Sequence, residues 1–195
     1  MADEKTTKRS WQQIATRIRV PLGFVLAALY LWRAQPNTTS LTVGWGVALV
    51  GLWIRALASG YVRKNESLAT SGPYAFCRNP LYLGSIVIGL GIALASLRWE
   101  IGVAMAVMFV AIYLPVIRAE ESWLGAHFAE YAEYCRRVPR LLPRLLPAKS
   151  AAGEGGEFSL ALYRKHREYN ALIGATLLMA ALIAKIFYTG GMNGQ

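Results

Sequence analysis

Residues 71–84 read SGPYAFCRNPLYLG and join a turn-rich polar loop directly to a long apolar segment. Prolines at the steps 72–73 and 79–80 punctuate this stretch, because a residue that precedes proline is pushed out of the helical region. Arg78 therefore lies at the edge of a hydrophobic span that begins at Leu81. We predict a rigid loop, carrying one cation and two tyrosines, at the level where water meets lipid.

The composition is that of a membrane protein. Of the 195 residues, 55% are hydrophobic and 16% are charged, whereas a soluble domain carries roughly a quarter charged residues. The mean hydropathy is +0.33, and the apolar residues come in long runs rather than in helical stripes. We therefore predict an all-α integral membrane protein.

The apolar runs predict about five transmembrane helices. The first run lacks the small-residue cleavage site of a signal peptide, so we expect it to remain as a membrane helix. The chain then divides into residues 1–60 (an interfacial segment and spans one and two), 61–147 (the core) and 148–195 (a linker, an interfacial helix and span five). The predicted spans are Val20–Trp32, Leu41–Gly60, Leu81–Leu97, Ile101–Ile117 and Ala171–Tyr188.

The net charge of +10 is concentrated between the apolar runs. Segments 1–19, 61–80 and 118–169 carry 17 of the 21 lysines and arginines. The positive-inside rule then predicts that the N-terminus and these loops are cytoplasmic, as in a bacterial or archaeal inner membrane. A nucleic-acid partner is not expected, because no recognition motif accompanies the charge.

Cysteine and histidine usage predicts neither a disulfide nor a metal site. Cys77 and Cys135 are the only cysteines, and both fall on segments predicted to be cytoplasmic. His127 and His166 are isolated from other potential ligands in the sequence.

Polar and small residues inside span two leave alternatives open. Arg55 either snorkels to the cytoplasmic edge or has a functional role. Gly44, Gly46 and Gly51 indicate close helix packing, and such faces also permit a homodimer. Near the outer end of span five, Lys185 can snorkel.

A tight connection at 98–100 forces spans three and four into an antiparallel hairpin. The hairpin returns Arg118 and Glu120 to the membrane face that carries Arg78 and Tyr82. From Glu120 onward, apolar and aromatic residues at helical spacing predict an amphipathic helix that continues to Tyr134 and stops at Val138-Pro139. The Arg-Leu-Leu-Pro repeat that follows cannot form regular helix and is predicted to lie on the headgroup surface.

The adjacent carboxylates Glu120 and Glu121 are costly at a lipid boundary unless they are paired or solvated. They either attract a soluble cationic ligand or form structural ion pairs with Arg78 or Arg118. The residues alone do not decide between these interpretations.

Two separated motifs resemble the isoprenylcysteine carboxyl methyltransferase family, which is similar in turn to membrane phospholipid N-methyltransferases. The resemblance covers about Tyr61–Pro147. The first motif is Gly72-Pro73-Tyr74 followed by Arg78-Asn79-Pro80-Leu81-Tyr82-Leu83-Gly84. The second is Glu120-Glu121 with Leu124, Phe128, Tyr131, Tyr134 and Val138-Pro139.

The resemblance implies a membrane enzyme that uses S-adenosylmethionine. It further implies that Glu120 and Arg118 act in catalysis, Glu120 on the cationic end of the cofactor and Arg118 on an anionic acceptor. Asn79 stands where the family usually has histidine, so a hydrogen bond can survive there but a titrating imidazole cannot. The two tyrosines that follow Phe128 lie three and six residues after it, whereas in the family they lie four and seven residues after it. The implied cofactor-binding residues are Glu66, Ser67, Leu68, Ala69, Tyr74, Arg78, Asn79, Pro80, Leu81, Tyr82, Glu120 and Glu121.

The methyl acceptor is expected to be lipophilic and to reach the site through the membrane lipid. A prenylcysteine-like carboxylate is the first expectation, and a phospholipid amine or a small hydrophobic thiol would also fit. Two other classes compete: an NADPH-dependent membrane reductase of the sterol-reductase kind, and a non-enzymatic scaffold or small transporter. Such reductases are larger, and a transporter would need broken helices or repeats at mid-membrane.

Overall fold

A computed structural model of the chain describes residues 23–63, 66–148 and 156–192. These residues form helices and connecting loops with no strand, which confirms the predicted all-α class. The predicted interfacial segment 1–19 and most of the linker 149–157 lie outside the described residues. The helices are α1 (Gly23–Arg33), α2 (Thr38–Tyr61), α3 (Pro80–Ser96), α4 (Trp99–His127), α5 (Tyr131–Arg137), α6 (Leu160–Lys165) and α7 (Tyr169–Met192).

The five predicted spans correspond to α1, α2, α3, α4 and α7. Three of them, α2, α4 and α7, are long and apolar enough to cross a membrane. The other two are shorter apolar helices. With 17 residues, α3 rises ~26 Å and falls slightly short of a hydrocarbon core of ~30 Å.

Glycines bring the backbones of α2 and α3 into contact. A Cβ atom on Gly44 would lie 2.5 Å from the carbonyl oxygen of Gly91, and one on Gly51 would lie 2.7 Å from that of Gly84. These distances are too short for any other residue, so the two helices pack backbone to backbone. The predicted close packing is confirmed for Gly44 and Gly51, whose face is occupied within one chain. It is wrong for Gly46, where a Cβ would meet nothing within 4 Å. A homodimer therefore remains a prediction that Gly44 and Gly51 do not support.

The hairpin of α3 and α4 turns within Leu97 and Arg98. Leu97 adopts the left-handed conformation, with φ 51°, and its N–H bonds the carbonyl of Leu94. The helix that follows does not stop at Ile117, as predicted for span four, but continues to His127. The predicted amphipathic helix therefore begins as the end of α4.

A π-helical turn, Phe109–Tyr113, interrupts α4. Pro115 follows it in the next α-helical segment. Proline lacks an N–H and its ring crowds the carbonyl four residues earlier, so a wider turn just before it relieves the clash.

The predicted helix through Tyr134 is broken at Phe128, and here the prediction was wrong. Phe128 is extended (φ −124°, ψ 113°), and α5 starts three residues later at Tyr131. The break lets Tyr131 fold back over Gly125, where a Cβ would lie 3.4 Å from the ring. Tyr131, Tyr134 and Val138 then form one buried cluster.

Arg55 does not snorkel, which was one of the two interpretations left open, but binds groups inside the protein. Its Nε and Nη2 donate to Oε2 and Oε1 of Glu168, each at 3.0 Å. Its Nη1 donates to Ser85 Oγ at 2.6 Å. Lys185 also finds partners inside the protein, because its Nζ donates to the carbonyls of Leu31 and Trp32 at the end of α1.

Candidate active site

The loop before α3 is folded around a short 3₁₀ turn, Gly72–Ala75. Gly72 has φ +57°, and a Cβ there would lie 2.6 Å from the ring of Tyr61. Glycine is therefore required both by the conformation and by the space. From the other side, the hydroxyl of Tyr134 donates to the carbonyl of Tyr74 at 2.7 Å. This hydrogen bond joins the loop to α5 at the end of the loop that leads into α3.

Residues 139–148, which we call the strap, run beside this loop and bond to it through the backbone. The Arg78 N–H donates to the Pro139 carbonyl at 2.9 Å, and the Arg144 N–H donates to the Phe76 carbonyl at 3.0 Å. The Ala148 N–H donates to the Ala75 carbonyl at 2.9 Å. The strap fixes the loop without forming a sheet.

A cavity of about 320 Å³ opens between the loop, the start of α3 and the end of α4. Its size lies at the lower end of the range for small-molecule sites. Aromatic side chains and a few polar groups share its wall. The lining residues are Val62, Arg63, Ser67, Leu68, Ala69, Tyr74, Arg78, Asn79, Leu81, Tyr82, Glu120, Trp123, Leu124, Tyr131 and Tyr134.

The two adjacent carboxylates point to different surroundings. Glu121 is buried and accepts a hydrogen bond from Arg140 Nε at 3.1 Å. It also forms ion pairs with Arg140 Nη2 at 2.6 Å and with Arg78 Nη1 at 3.4 Å. Asn79 Nδ2 also donates to Glu121, at 3.2 Å. Glu120 is exposed, lines the cavity and accepts a hydrogen bond from the Tyr82 hydroxyl at 3.1 Å. The ion-pair interpretation therefore applies to Glu121, while Glu120 faces the cavity.

Arg78 connects the buried network to the cavity wall. Burial alone would lower the pKa of its guanidinium, but the neighbouring Glu121 and the side chains of Cys135 and Tyr131 raise the pKa overall, so it stays cationic. Its Nη1 lies 2.6 Å from Cys135 Sγ. Its Nε is buried and has no hydrogen-bond partner among the described residues. An unpaired buried donor beside a cavity is suited to an acceptor on a bound ligand.

Four other titratable groups near the loop, one thiol and three phenols, are held in their neutral forms. Burial raises the pKa of the Cys77 thiol to about 11. Burial also raises the pKa of Tyr74, Tyr131 and Tyr134. These phenols can donate hydrogen bonds at neutral pH, but neither they nor Cys77 can supply a charged base there.

The hairpin brings most of the predicted site residues to this one cavity. Four of them lie elsewhere. Glu66 is exposed and faces Lys165 at 3.8 Å, and Glu121 belongs to the buried network. Pro80 and Arg118 are not among the lining residues either, and direct contact with a ligand is therefore not supported for these four. The predicted residues that do line it are Ser67, Leu68, Ala69, Tyr74, Arg78, Asn79, Leu81, Tyr82 and Glu120.

Sequence reasoning missed six lining residues. Tyr131, Tyr134 and Leu124 stood in the motif but were assigned to a helix face rather than to the site. Their short distance in sequence from the acidic pair was the available signal. These three residues line the same cavity as Glu120. The others are Val62, Arg63 and Trp123, which no motif marked.

Fold and site together define an all-α membrane protein with a cavity between the loop, the start of α3 and the end of α4. A family model described as phospholipid methyltransferase matches residues 38–131, just under half of the chain. The matched segment runs from the start of α2 to the start of α5 and so includes the hairpin and both acidic residues. Over this segment the chain is similar to membrane methyltransferases.

Two curated relatives match a larger part of the chain. The cobalt-zinc-cadmium resistance protein CzcN of Cupriavidus metallidurans is 39% identical over 138 residues, which are 65% of this chain and 62% of that protein. The nickel-cobalt-cadmium resistance protein NccN of Alcaligenes xylosoxydans xylosoxydans is 40% identical over 138 residues, 65% of this chain and 63% of that protein. The chain thus spans a little over three fifths of the curated relatives it matches. No solved structure gives a significant match.

Proposed function

We propose that this chain is an integral membrane methyltransferase that transfers a methyl group from S-adenosylmethionine to a lipophilic acceptor. One observation carries the proposal. The cavity joins the carboxylate of Glu120, which has no ion pair with a described residue, to aromatic walls at a lipid boundary. It does so within the segment that is similar to phospholipid methyltransferases.

The lining residues fit the chemistry of that cofactor. S-adenosylmethionine supplies a methyl group on a positively charged sulfur. Glu120 offers the negative charge that a sulfonium and an ammonium favour, and Tyr82 holds that carboxylate in place. The unpaired Nε of Arg78 suits the carboxylate end of the cofactor. Tyr74, Tyr131 and Trp123 provide flat apolar surface for a purine ring.

The protein's contribution to the reaction is alignment and exclusion of water. Methyl transfer is an in-line displacement, and correct orientation can lower its barrier by ~7–11 kcal/mol. Asn79 is fixed by Glu121 and by the Arg140 carbonyl, so it orients the start of α3 and does not titrate. Cys77 stays protonated at neutral pH, because burial raises its pKa to about 11.

The scarcity of charged bases favours an acceptor that needs none. A carboxylate is already ionised at neutral pH, whereas a thiol or an ammonium must first lose a proton. A prenylcysteine-like carboxylate is therefore the proposed acceptor. Arg118, on the exposed side of α4 just before the acidic pair, is the proposed residue to steer its negative charge towards the cavity.

A row of aromatic rings provides an apolar path from the cavity along α4. The rings of Tyr82 and Tyr113 meet edge to face with centroids 6.0 Å apart. Tyr113 stacks on Phe109 with centroids 5.4 Å apart. Both lie in the π-helical turn, on the part of α4 that crosses the lipid. A lipophilic chain could lie along this row while its polar end reaches the cavity.

A phospholipid amine is the second candidate acceptor, and the description of the matching family favours it. The aromatic row would accept an acyl chain as readily as a prenyl chain. On this alternative Glu120, or a water molecule beside it, must take the proton that the amine loses. A small hydrophobic thiol would need a base in the same way.

The names of the two relatives suggest a cellular setting of resistance to divalent metals. Within the described residues no three His, Cys, Asp or Glu side chains cluster where they could hold a metal ion. We therefore propose that any contribution to metal tolerance runs through methylation of a membrane component. We also propose that the cavity opens to the cytoplasm, as the distribution of positive charge predicts.

The decisive experiment measures ligand binding and product formation on purified protein in lipid discs. S-adenosylhomocysteine should raise the melting temperature and NADPH should not. Incubation of membranes with a methyl-labelled donor, followed by separation of lipid, protein and volatile products, would identify the acceptor. Stabilisation by NADPH alone would instead favour a reductase.

A matched pair of variants tests the role of Glu120. Glu120→Gln should weaken S-adenosylhomocysteine binding at least tenfold, since it removes the negative charge and keeps the shape. Glu133→Gln alters a carboxylate on α5 that pairs with Arg136 and Arg137 outside the cavity and should leave binding unchanged. Equal affinity in both variants would contradict the assignment.

A further inference from the structure

The strap exposes leucines that nothing in the described chain covers. Leu142, Leu145 and Leu146 are 81%, 98% and 74% exposed. Three large apolar side chains within five positions are unusual on a surface that meets only water, because each loses favourable burial there. Their exposure therefore calls for a partner of low polarity.

The strap lies at the height of the membrane surface. Its backbone bonds to Ala75, Phe76 and Arg78, and α3 begins at Pro80, only two residues after Arg78. Since α3 is an apolar helix that enters the membrane, the strap is held next to the point where the chain crosses from water to lipid.

The charge around the leucines suits a surface of lipid phosphates. Residues 136–148 contain four arginines and no acidic residue, and two of the four, Arg136 and Arg137, pair with Glu133. Arg140 reaches inward to Glu121, while Arg144 uses its guanidinium on the carbonyl of Arg137 rather than on a carboxylate of the described chain. Arginines beside exposed leucines are the pattern of a segment that lies in the headgroup region.

Half of the ten backbone positions in the strap need no hydrogen bond to their N–H from outside the protein. Pro139, Pro143 and Pro147 have no N–H to satisfy. The N–H groups of Arg144 and Ala148 are already bonded to loop carbonyls. Non-helical backbone at a lipid surface is tolerated when its polar groups are satisfied within the protein.

We propose that the strap docks on an anionic bilayer surface, with Leu142, Leu145 and Leu146 inserted between headgroups and Arg144 on lipid phosphates. The occupant is the lipid of the membrane in which the helices sit, and the contact holds the loop that carries Arg78. This docking is independent of whether the cavity binds S-adenosylmethionine.

The test places single cysteines on the intact protein in lipid discs and follows labelling with a water-soluble maleimide. Leu145→Cys probes the strap, and Leu142→Cys provides a second position. Ala132→Cys is the control, an exposed alanine on α5 beside the charged Glu133. Label at each position is quantified by peptide mass spectrometry, so that Cys77 and Cys135 do not contribute.

In discs that contain phosphatidylglycerol, the cysteines introduced at positions 145 and 142 should react at least tenfold more slowly than the one at position 132. In discs of phosphatidylcholine alone this protection should shrink several-fold. Equal rates at the strap and at position 132 in the anionic discs would overturn the proposal. So would protection that is the same in both kinds of disc, because Arg144 would then have no part in docking.

Discussion

The guanidinium of Arg55 binds the carboxylate of Glu168 from a position 113 residues earlier in the chain. Two nitrogens of the arginine meet both carboxylate oxygens, and the third reaches Ser85 and the carbonyl of Leu81. The pair is largely buried, with side chains 23% and 12% exposed. It fastens the residue that precedes α7 to both α2 and α3.

Removing one partner of this pair should destabilise the protein strongly. Glu168→Gln leaves a buried guanidinium without its counter-charge, and such a change costs about 3–5 kcal/mol. We expect a large fall in melting temperature in detergent. Arg136→Gln, which breaks an exposed pair with Glu133, is the control and should cost at most about 1 kcal/mol. A double change of Arg55 and Glu168 to methionine should recover part of the loss, and a further loss would contradict the account.

Substitution of Glu121 should affect stability before it affects ligand contact. Glu121→Gln leaves Arg78 and Arg140 facing each other without a negative charge, at a cost of about 3 kcal/mol, the lower limit for a buried pair because Arg140 is half-exposed. Chemical unfolding followed by tryptophan fluorescence measures this. An unfolding free energy equal to that of the natural protein would mean that Glu121 does not hold the network.

Gly72 should be intolerant of a methyl group. Gly72→Ala places a Cβ against Tyr61 in a residue with positive φ, and the conformation alone costs about 1–2 kcal/mol. Gly46→Ala is the matched control, because a Cβ there meets nothing within 4 Å and alanine favours a helix by roughly 0.5–1 kcal/mol. Thermal unfolding of the two variants should therefore shift in opposite directions. A Gly72→Ala protein as stable as the control would refute the tight turn.

The reactivity of Cys77 should reveal its raised pKa. Burial moves the pKa of the thiol from 9.0 to about 11, so at pH 8 its thiolate population is roughly a hundredfold lower than that of an ordinary thiol. A thiol reagent should modify Cys77 slowly in the native protein and rapidly after unfolding. Comparable native and unfolded rates would contradict its burial.

The same shift gives the sign of a pH effect on stability. Between pH 9 and pH 11 the folded protein keeps a proton on Cys77 that the unfolded chain has released. The stability contributed by the neutral thiol is therefore full below pH 9 and declines as the pH rises through this window. Cys77→Ser should remove this part of the pH dependence.

The sequence was sufficient to predict the features that depend on local pattern. Long apolar runs located the helices. A tight connection was predicted at 98–100 and lies at Leu97 and Arg98, and it forces the hairpin that brings Tyr82 near Glu120. The Asn-Pro step marked the start of α3 within one residue. These predictions held because chain length and lipid thickness leave few other arrangements.

Other features depended on partners distant in sequence and could not be read from it. Nothing near Arg55 indicates that Glu168 will lie beside it. Periodicity likewise could not foresee the break at Phe128, because the gain comes from burying Tyr131 and Tyr134 against the loop. The sequence also could not show that Glu120 lines the cavity while Glu121 is buried, because this depends on which side of α4 faces the protein interior.

The π-helical turn in α4 determines which of Glu120 and Glu121 faces the cavity and which is buried. Consecutive residues of a helix point about 100° apart, and a turn with i→i+5 bonding holds one residue more than an α-helical turn would. If the same residues wound as an unbroken α-helix, every residue after the turn would move on by one position. Glu120 would then occupy the place of Glu121, where two arginines now find their counter-charge, and Ala119 would stand at the cavity in place of Glu120. The π-helical turn lies about two turns before the acidic pair. By fixing the rotation of the rest of α4, it leaves Glu120 exposed and Glu121 buried.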